Sequence, residues 1–205
     1  MQKRYVIGSA VALGALISAT TAHAEEPFTA NKFQLGGGLN YGLYMGDDEG
    51  DPPNPYGLGL GVDLGYTLGP GVYLGGEFNY FFGSSEEEGG FEVSTNIMQY
   101  GVEVGYDIGV SPELVIRPKA GIGMGSAKVE VNSDFGDNSE SESGLFIPVG
   151  AALLYSMGDW FIGGDVRYAI FSVSQETTDA TTGESVEEDW NANGLMFGIG
   201  AGAAF

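Results

Sequence analysis

From Phe33 onward, large apolar residues alternate with small or charged ones, and the alternation recurs in eight segments. The last is the plainest. Leu195, Phe197, Ile199, Ala201, Ala203 and Phe205 occupy one parity, and Gly194, Gly198, Gly200 and Gly202 the other. A period of two describes a strand with two unlike faces. Upstream, Leu58, Leu60, Val62 and Leu64 oppose Gly57, Gly59, Gly61 and Asp63. Likewise Met98, Tyr100, Val102 and Val104 oppose Gln99, Gly101, Glu103 and Gly105. The predicted strands are Phe33-Met45, Tyr56-Leu68, Gly71-Phe82, Phe91-Ile108, Leu114-Val131, Leu145-Met157, Trp160-Ser174 and Trp190-Phe205. With 36 glycines and no helical apolar stripe after the leader, the fold class is all-β.

The segments form two alternating families, as expected of a unit repeated as a β-hairpin. L-G-G-G-L-N-Y at Leu35, L-G-G-E-F-N-Y at Leu74 and I-G-G-D-V-R-Y at Ile162 share one pattern. L-G-V-D-L-G-Y-T-L-G at Leu60 and Y-G-V-E-V-G-Y-D-I-G at Tyr100 share the other. Connections alternate between long polar stretches (Gly46 to Pro55, Ser84 to Gly90, Asn132 to Ser143, Gln175 to Asp189) and short turns at Gly69-Pro70-Gly71, Gly109 to Glu113 and Gly158-Asp159. This is the plan of an eight-stranded antiparallel up-and-down transmembrane β-barrel. Such a barrel is too narrow inside to take every Tyr, Phe and Leu of the apolar parity, so that parity faces lipid and Gly and charge face inward. Tyr66, Tyr106, Tyr155, Trp160 and Phe205 then form one interfacial girdle, and Tyr56, Tyr80 and Phe82 the other. Phe91, Val93 and Ile97 fall out of phase with Met98 onward, which calls for a bulge or a strand continuing above the membrane.

The first 24 residues read differently. Lys3 and Arg4, an apolar run from Val6 to Ala19 and the small-x-small site Ala22-His23-Ala24 predict a cleaved signal peptide, residues 1–24, ahead of a barrel domain, residues 25–205. Its removal takes away the single histidine, His23, and two of seven basic residues, from a chain already at −21 with 28 acidic residues. Nucleic acid is therefore not an expected partner. Without cysteine there is neither a disulfide framework nor a thiolate metal site.

These features resemble the small bacterial outer-membrane barrels of the OmpA transmembrane domain, OmpX and OmpW type, over residues 33 to 205. The resemblance implies residence in the cell outer membrane as a monomer, in contact with outer-membrane lipid and lipopolysaccharide. It also implies that Phe205 belongs to a C-terminal signal read by the outer-membrane assembly machinery.

The candidate chemistry is a lumen charge network. Asp63, Glu77, Glu103 and Asp165 share the inner wall with Arg117, Lys119 and Arg167, and buried charges must be paired or hydrated. Glu77, Lys119 and Asp165 are expected at comparable heights. The reading is a structural or surface-interaction barrel whose lumen is plugged by this network, as the resemblance to the OmpA barrel implies. The alternatives are a narrow porin-like pore for ions or small solutes, for which bare inner-wall glycines would leave room, and an OmpW-like conduit for apolar ligands. No catalytic, metal or cofactor-binding residues are expected. The mature chain lacks the histidine that serves as base near neutral pH, and Asp47-Asp48-Glu49-Gly50-Asp51 lacks calcium-loop spacing. The acidic long connections read as solvated surface.

Overall fold

The computed structural model describes residues 26–46, 54–88, 91–133, 136–178 and 185–205. The expected leader and the acidic run from Asp47 to Asp51 lie outside the described residues. Eight staves make the wall: β1 (Phe33–Tyr44), β2 (Gly57–Thr67), β3 (Val72–Phe81), β4 (Phe91–Tyr106), β5 (Leu114–Ser133), β6 (Gly136–Ser156), β7 (Trp160–Thr178) and β8 (Gly194–Ala204). Three short pieces prolong them: Ser85–Glu88 pairs with β4, Ile108–Gly109 with β5, and Ser185–Asn191 with β7.

Every stave runs antiparallel to its neighbour, and β1 closes on β8 from Gln34↔Ala204 to Tyr44↔Gly194. Closure pairs the backbone groups that an open edge would leave unsatisfied. The eight-stranded up-and-down barrel read from the alternation is therefore the fold. The first short turn is held by Leu68 N–H on the Val72 carbonyl at 2.8 Å, with Gly71 at φ 102°, where a side chain would be strained. The other two short turns and both ends of the described chain lie at this same end.

The two faces have the predicted character. Leu60, Val102 and Ile199 are 50, 62 and 69% exposed, while Glu77, Glu103, Arg117 and Arg167 are buried. Leaving so many Leu, Val, Ile and Phe side chains in water would forfeit about 25 cal/mol per Å² of apolar surface, so the outward belt demands an apolar surround. Tyr155, Trp160 and Phe205 are exposed at the short-turn end, where Phe33 also stacks on Tyr66 with centroids 4.8 Å apart. At the far end Phe82 is exposed and meets Tyr80 at 5.3 Å.

Several expectations are corrected. Tyr56 is not in the outer girdle; it is fully buried in the lumen, because Gly57, the first residue of β2, takes φ 60° and breaks the alternation there. The connection predicted from Asn132 to Ser143 is the top of a hairpin, in register from Ser133↔Gly136 downward. Ser84 to Gly90 and Gln175 to Asp189 are likewise partly strand. Their sequences are mostly polar at both parities, so no apolar alternation marks them as strands. β4 is unbroken against β5 from Phe91↔Ser133 to Gly105↔Lys119. The register slip lies on its other side, between Phe81↔Ile97 and Ser85↔Ser94, near Gly83 at φ 65°. Ile97 is fully buried in the lumen.

Candidate functional site

The lumen is filled in layers. At the long-connection end Tyr56, Phe81, Ile97, Phe146, Phe171 and Met196 are fully buried in one apolar cluster. The Tyr56 hydroxyl donates to the Ala192 carbonyl at 2.6 Å, and its ring meets Phe81 edge-on at 5.3 Å. At the short-turn end Val115, Ala152, Leu154, Phe161 and Ala204 form a second cluster, with Phe28 packed against it. On β3, β4, β5, β7 and β8 these inward apolar residues have the parity that the sequence reading assigned to glycine and charge, whereas Tyr56 shares the parity of the outward Leu58 and Leu60.

The inner glycines make room for them. A Cβ on Gly125 would meet the Phe171 ring first, at 2.8 to 3.2 Å. Gly65 and Gly75 are bare where the Tyr73 ring lies, Gly42 and Gly194 where Tyr56 lies, and Gly59 where Phe81 lies. The open volume expected over Gly59 is taken up by this ring. Over Gly36 the Asp63 carboxylate lies 2.8 Å from the position of an added Cβ.

Between the clusters lie all seven predicted charges, lining one cavity. Arg167 on β7 pairs through Nη1 with Glu77 on β3, and through Nε with Asp165 on its own strand at 2.5 Å. The Asn79 amide also donates to Glu77 Oε2 at 3.0 Å, and Asn40 donates to Asn79 at 2.8 Å. Since β3 and β7 are four staves apart in a ring of eight, this chain is a strut across the full bore. Lys119 does not join Glu77; it pairs with Glu103 on the adjacent β4 at 2.9 Å.

Arg117 builds a second strut nearer the short-turn end. Its Nε and Nη2 donate to Asp107 Oδ1 and Oδ2 at 2.5 and 2.9 Å, and Nη2 also donates to Gln34 Oε1 at 2.6 Å. Gln34 Nε2 donates to Thr67 Oγ1 at 2.8 Å, which donates to Asp107 Oδ2 at 2.8 Å, so the ring of bonds closes. The guanidinium carbon lies 3.7 Å from the Tyr73 ring centroid. β1 and β5 are also diametrically opposed. Sequence reasoning missed Asp107, Gln34, Thr67 and Tyr73. A signal for Asp107 existed: with Gly105↔Lys119 and Ile108↔Ile116 in register, Asp107 falls opposite Arg117.

Asp63 belongs to none of the five ion pairs among the described residues. It faces Glu77 across the β2–β3 ladder and lines a cavity of about 80 Å³ with Asn40, Glu103, Lys119 and Asp165. Phe205 sits outside this interior. Its backbone exchanges bonds with Phe33 at 2.8 and 2.9 Å while its side chain is 70% exposed.

Residues 9–205 match the family model for the outer membrane protein beta-barrel domain. No curated protein is similar in sequence. Among solved structures, Ail, the attachment invasion locus protein of Yersinia pestis, is 15% identical with a TM-score of 0.54, over 86% of this chain and 99% of that one. Ail in complex with the heparin analogue sucrose octasulfate gives 16% identity and a TM-score of 0.53, over 85% and 98%. A major outer membrane protein from Thermus thermophilus gives 14% identity and a TM-score of 0.56, over 84% and 99%. Neisserial surface protein A gives 13% and 0.53, over 84% and 97%. At these identities the likeness is one of fold.

Proposed function

We propose, from the premise that the chain belongs to the outer membrane protein β-barrel family and resides in the outer membrane, that it is a closed barrel with a structural or surface-interaction role. The observation that carries this reading is the layered filling of the bore. Two apolar clusters flank two charged struts, each running between opposite walls. Asp63, Glu77, Glu103, Arg117, Lys119, Asp165 and Arg167 act in this reading as a plug, not a selectivity filter. Struts that tie opposite walls resist flattening of the ring, so the interior chemistry serves shape.

Three further assignments complete the reading. Residues 1–24 are a cleaved export signal ahead of the barrel. The outward belt meets lipid and lipopolysaccharide as a monomer, and the exposed Phe205 is presented to the outer-membrane assembly machinery. The strands prolonged beyond the belt carry the interaction surface. Their segments are acidic in sequence, which disfavours polyanions such as the sulfated sugar analogue bound by Ail.

The test is a planar-bilayer recording of the purified, refolded protein. The closed-lumen reading expects no steady conductance, only rare small events. A stable open channel would replace it with a narrow pore built around the Asp63 cavity.

A further inference from the structure

We infer that the segment from Pro27 to Lys32 is a detachable stopper for the short-turn mouth of the barrel, an inference that rests on the closed-lumen reading above. The stretch has no strand pattern, and its sequence reads as a polar lead-in to the first stave. Instead it turns into the bore. Pro27 and Thr29 are buried, Thr29 completely, and the Phe28 ring lies 6.4 Å from that of Phe161 in the lower apolar cluster. The turn is closed by Ala30 N–H on the Pro27 carbonyl at 2.9 Å and Lys32 N–H on the Thr29 carbonyl at 3.1 Å. Asn31 takes φ 57°, a left-handed conformation that asparagine tolerates better than most residues.

The attachment is slight compared with that of a stave. A single parallel bridge, Ala30↔Thr67, joins the segment to the sheet, with Asn31 N–H on the Thr67 carbonyl at 2.8 Å and Thr67 N–H on the Lys32 carbonyl at 3.2 Å. Its one buried polar anchor is the Thr29 hydroxyl, which donates to Asp107 Oδ2 at 2.5 Å. The seat is complete without that anchor. Asp107 already accepts from Arg117 and Thr67, and Gln34 closes the ring, so withdrawal removes one of its four bonds and leaves no buried charge alone. Elements held by few buried contacts open first.

Withdrawal also has a place to lead. Ala152, Leu154, Phe161 and Arg117 form the floor of the 80 Å³ cavity that holds Asp63. The stopper packs against this floor through Phe28. With the segment gone, the lower cluster and the Arg117 strut alone separate the cavity from the short-turn mouth.

The chain contains no cysteine, so single thiols report access without background. Ala152→Cys would place one in the lower cluster and Ala169→Cys one in the upper cluster, both in the barrel refolded into vesicles. Modification by a small charged methanethiosulfonate is then timed with the segment intact, with Phe28→Ala/Thr29→Ala, and with residues 26–32 replaced by Gly-Ser linker. The stopper predicts at least tenfold faster labelling at position 152 in both altered forms, with position 169 unchanged. Equal rates at 152 in all three forms would overturn it. So would failure of both altered forms to give the folded, heat-modifiable band, since the segment would then be part of the barrel. Rapid labelling at 169 in the intact protein would instead refute the closed lumen.

Discussion

Arg117→Met tests whether the lower strut holds the barrel in shape. The arginine is 5% exposed, and its partner Asp107 is 2% exposed. Removing the cation strips Asp107 of bonds at 2.5 and 2.9 Å, frees Gln34 Oε1, and leaves a carboxylate supported only by hydroxyls. Breaking a buried pair from one side costs about 3–5 kcal/mol, because the remaining charge is desolvated and unmatched. Loss of the stacking on Tyr73 adds about 1 kcal/mol. Asp107→Asn alone leaves Arg117 with its Gln34 bond and costs about 2–3 kcal/mol by the same logic. The double variant removes both charges, so it falls short of the sum by about 2 kcal/mol or more. Urea titration of the vesicle-refolded barrel, followed by tryptophan fluorescence and by the heat-modifiable gel shift, gives all four stabilities. A single-variant loss below about 1 kcal/mol, or strict additivity in the cycle, would refute the strut as an energetic unit.

The remaining predictions concern other layers. Gly125→Ala should destabilise by about 1–3 kcal/mol, since its Cβ meets the Phe171 ring; in a Phe171→Leu background the same change should be nearly neutral, and equal losses in both backgrounds would count against the glycine–ring fit. Lys119→Ala leaves Glu103 buried without its partner and should raise the frequency of conductance events in planar bilayers over the intact barrel. Unchanged traces, together with an unchanged melting temperature, would remove Lys119 from the proposed plug. Phe205→Ser should leave urea stability within about 0.5 kcal/mol, because the side chain is exposed, yet lower the amount of barrel assembled in cells; a matching loss in purified protein would assign the residue to packing.

What the sequence disclosed was set by how unlike the two parities are. Along β2, Leu58 to Leu64 opposes glycine and one aspartate, and both the strand and its outward face follow at once. The face of each lumen charge was legible for the same reason, since a charged residue in phase with glycine cannot point to lipid. Partners were not legible, because they depend on shear: Arg167 reaches Glu77 across the bore, and Lys119 stays with its neighbour Glu103. The inward aromatics escaped as well. Phe81, Phe146, Phe161 and Phe171 sit beside outward apolar residues, so local alternation fades where both faces are hydrophobic. The hairpin tops are the converse, with sequences polar at nearly every position. Pro27 to Lys32 carries no periodic pattern at all, and its place depends on Asp107, far along the chain.

The fit of rings over bare backbone positions separates two properties of this molecule. Trimming Phe171, Tyr73 or Phe81 to alanine would hollow the bore while leaving every lipid-touching side chain unaltered. An exterior that inserts and assembles the same way could therefore enclose anything from a solid rod to a narrow tube. Permeability in such a shell is adjustable by a handful of substitutions that the surrounding bilayer never senses.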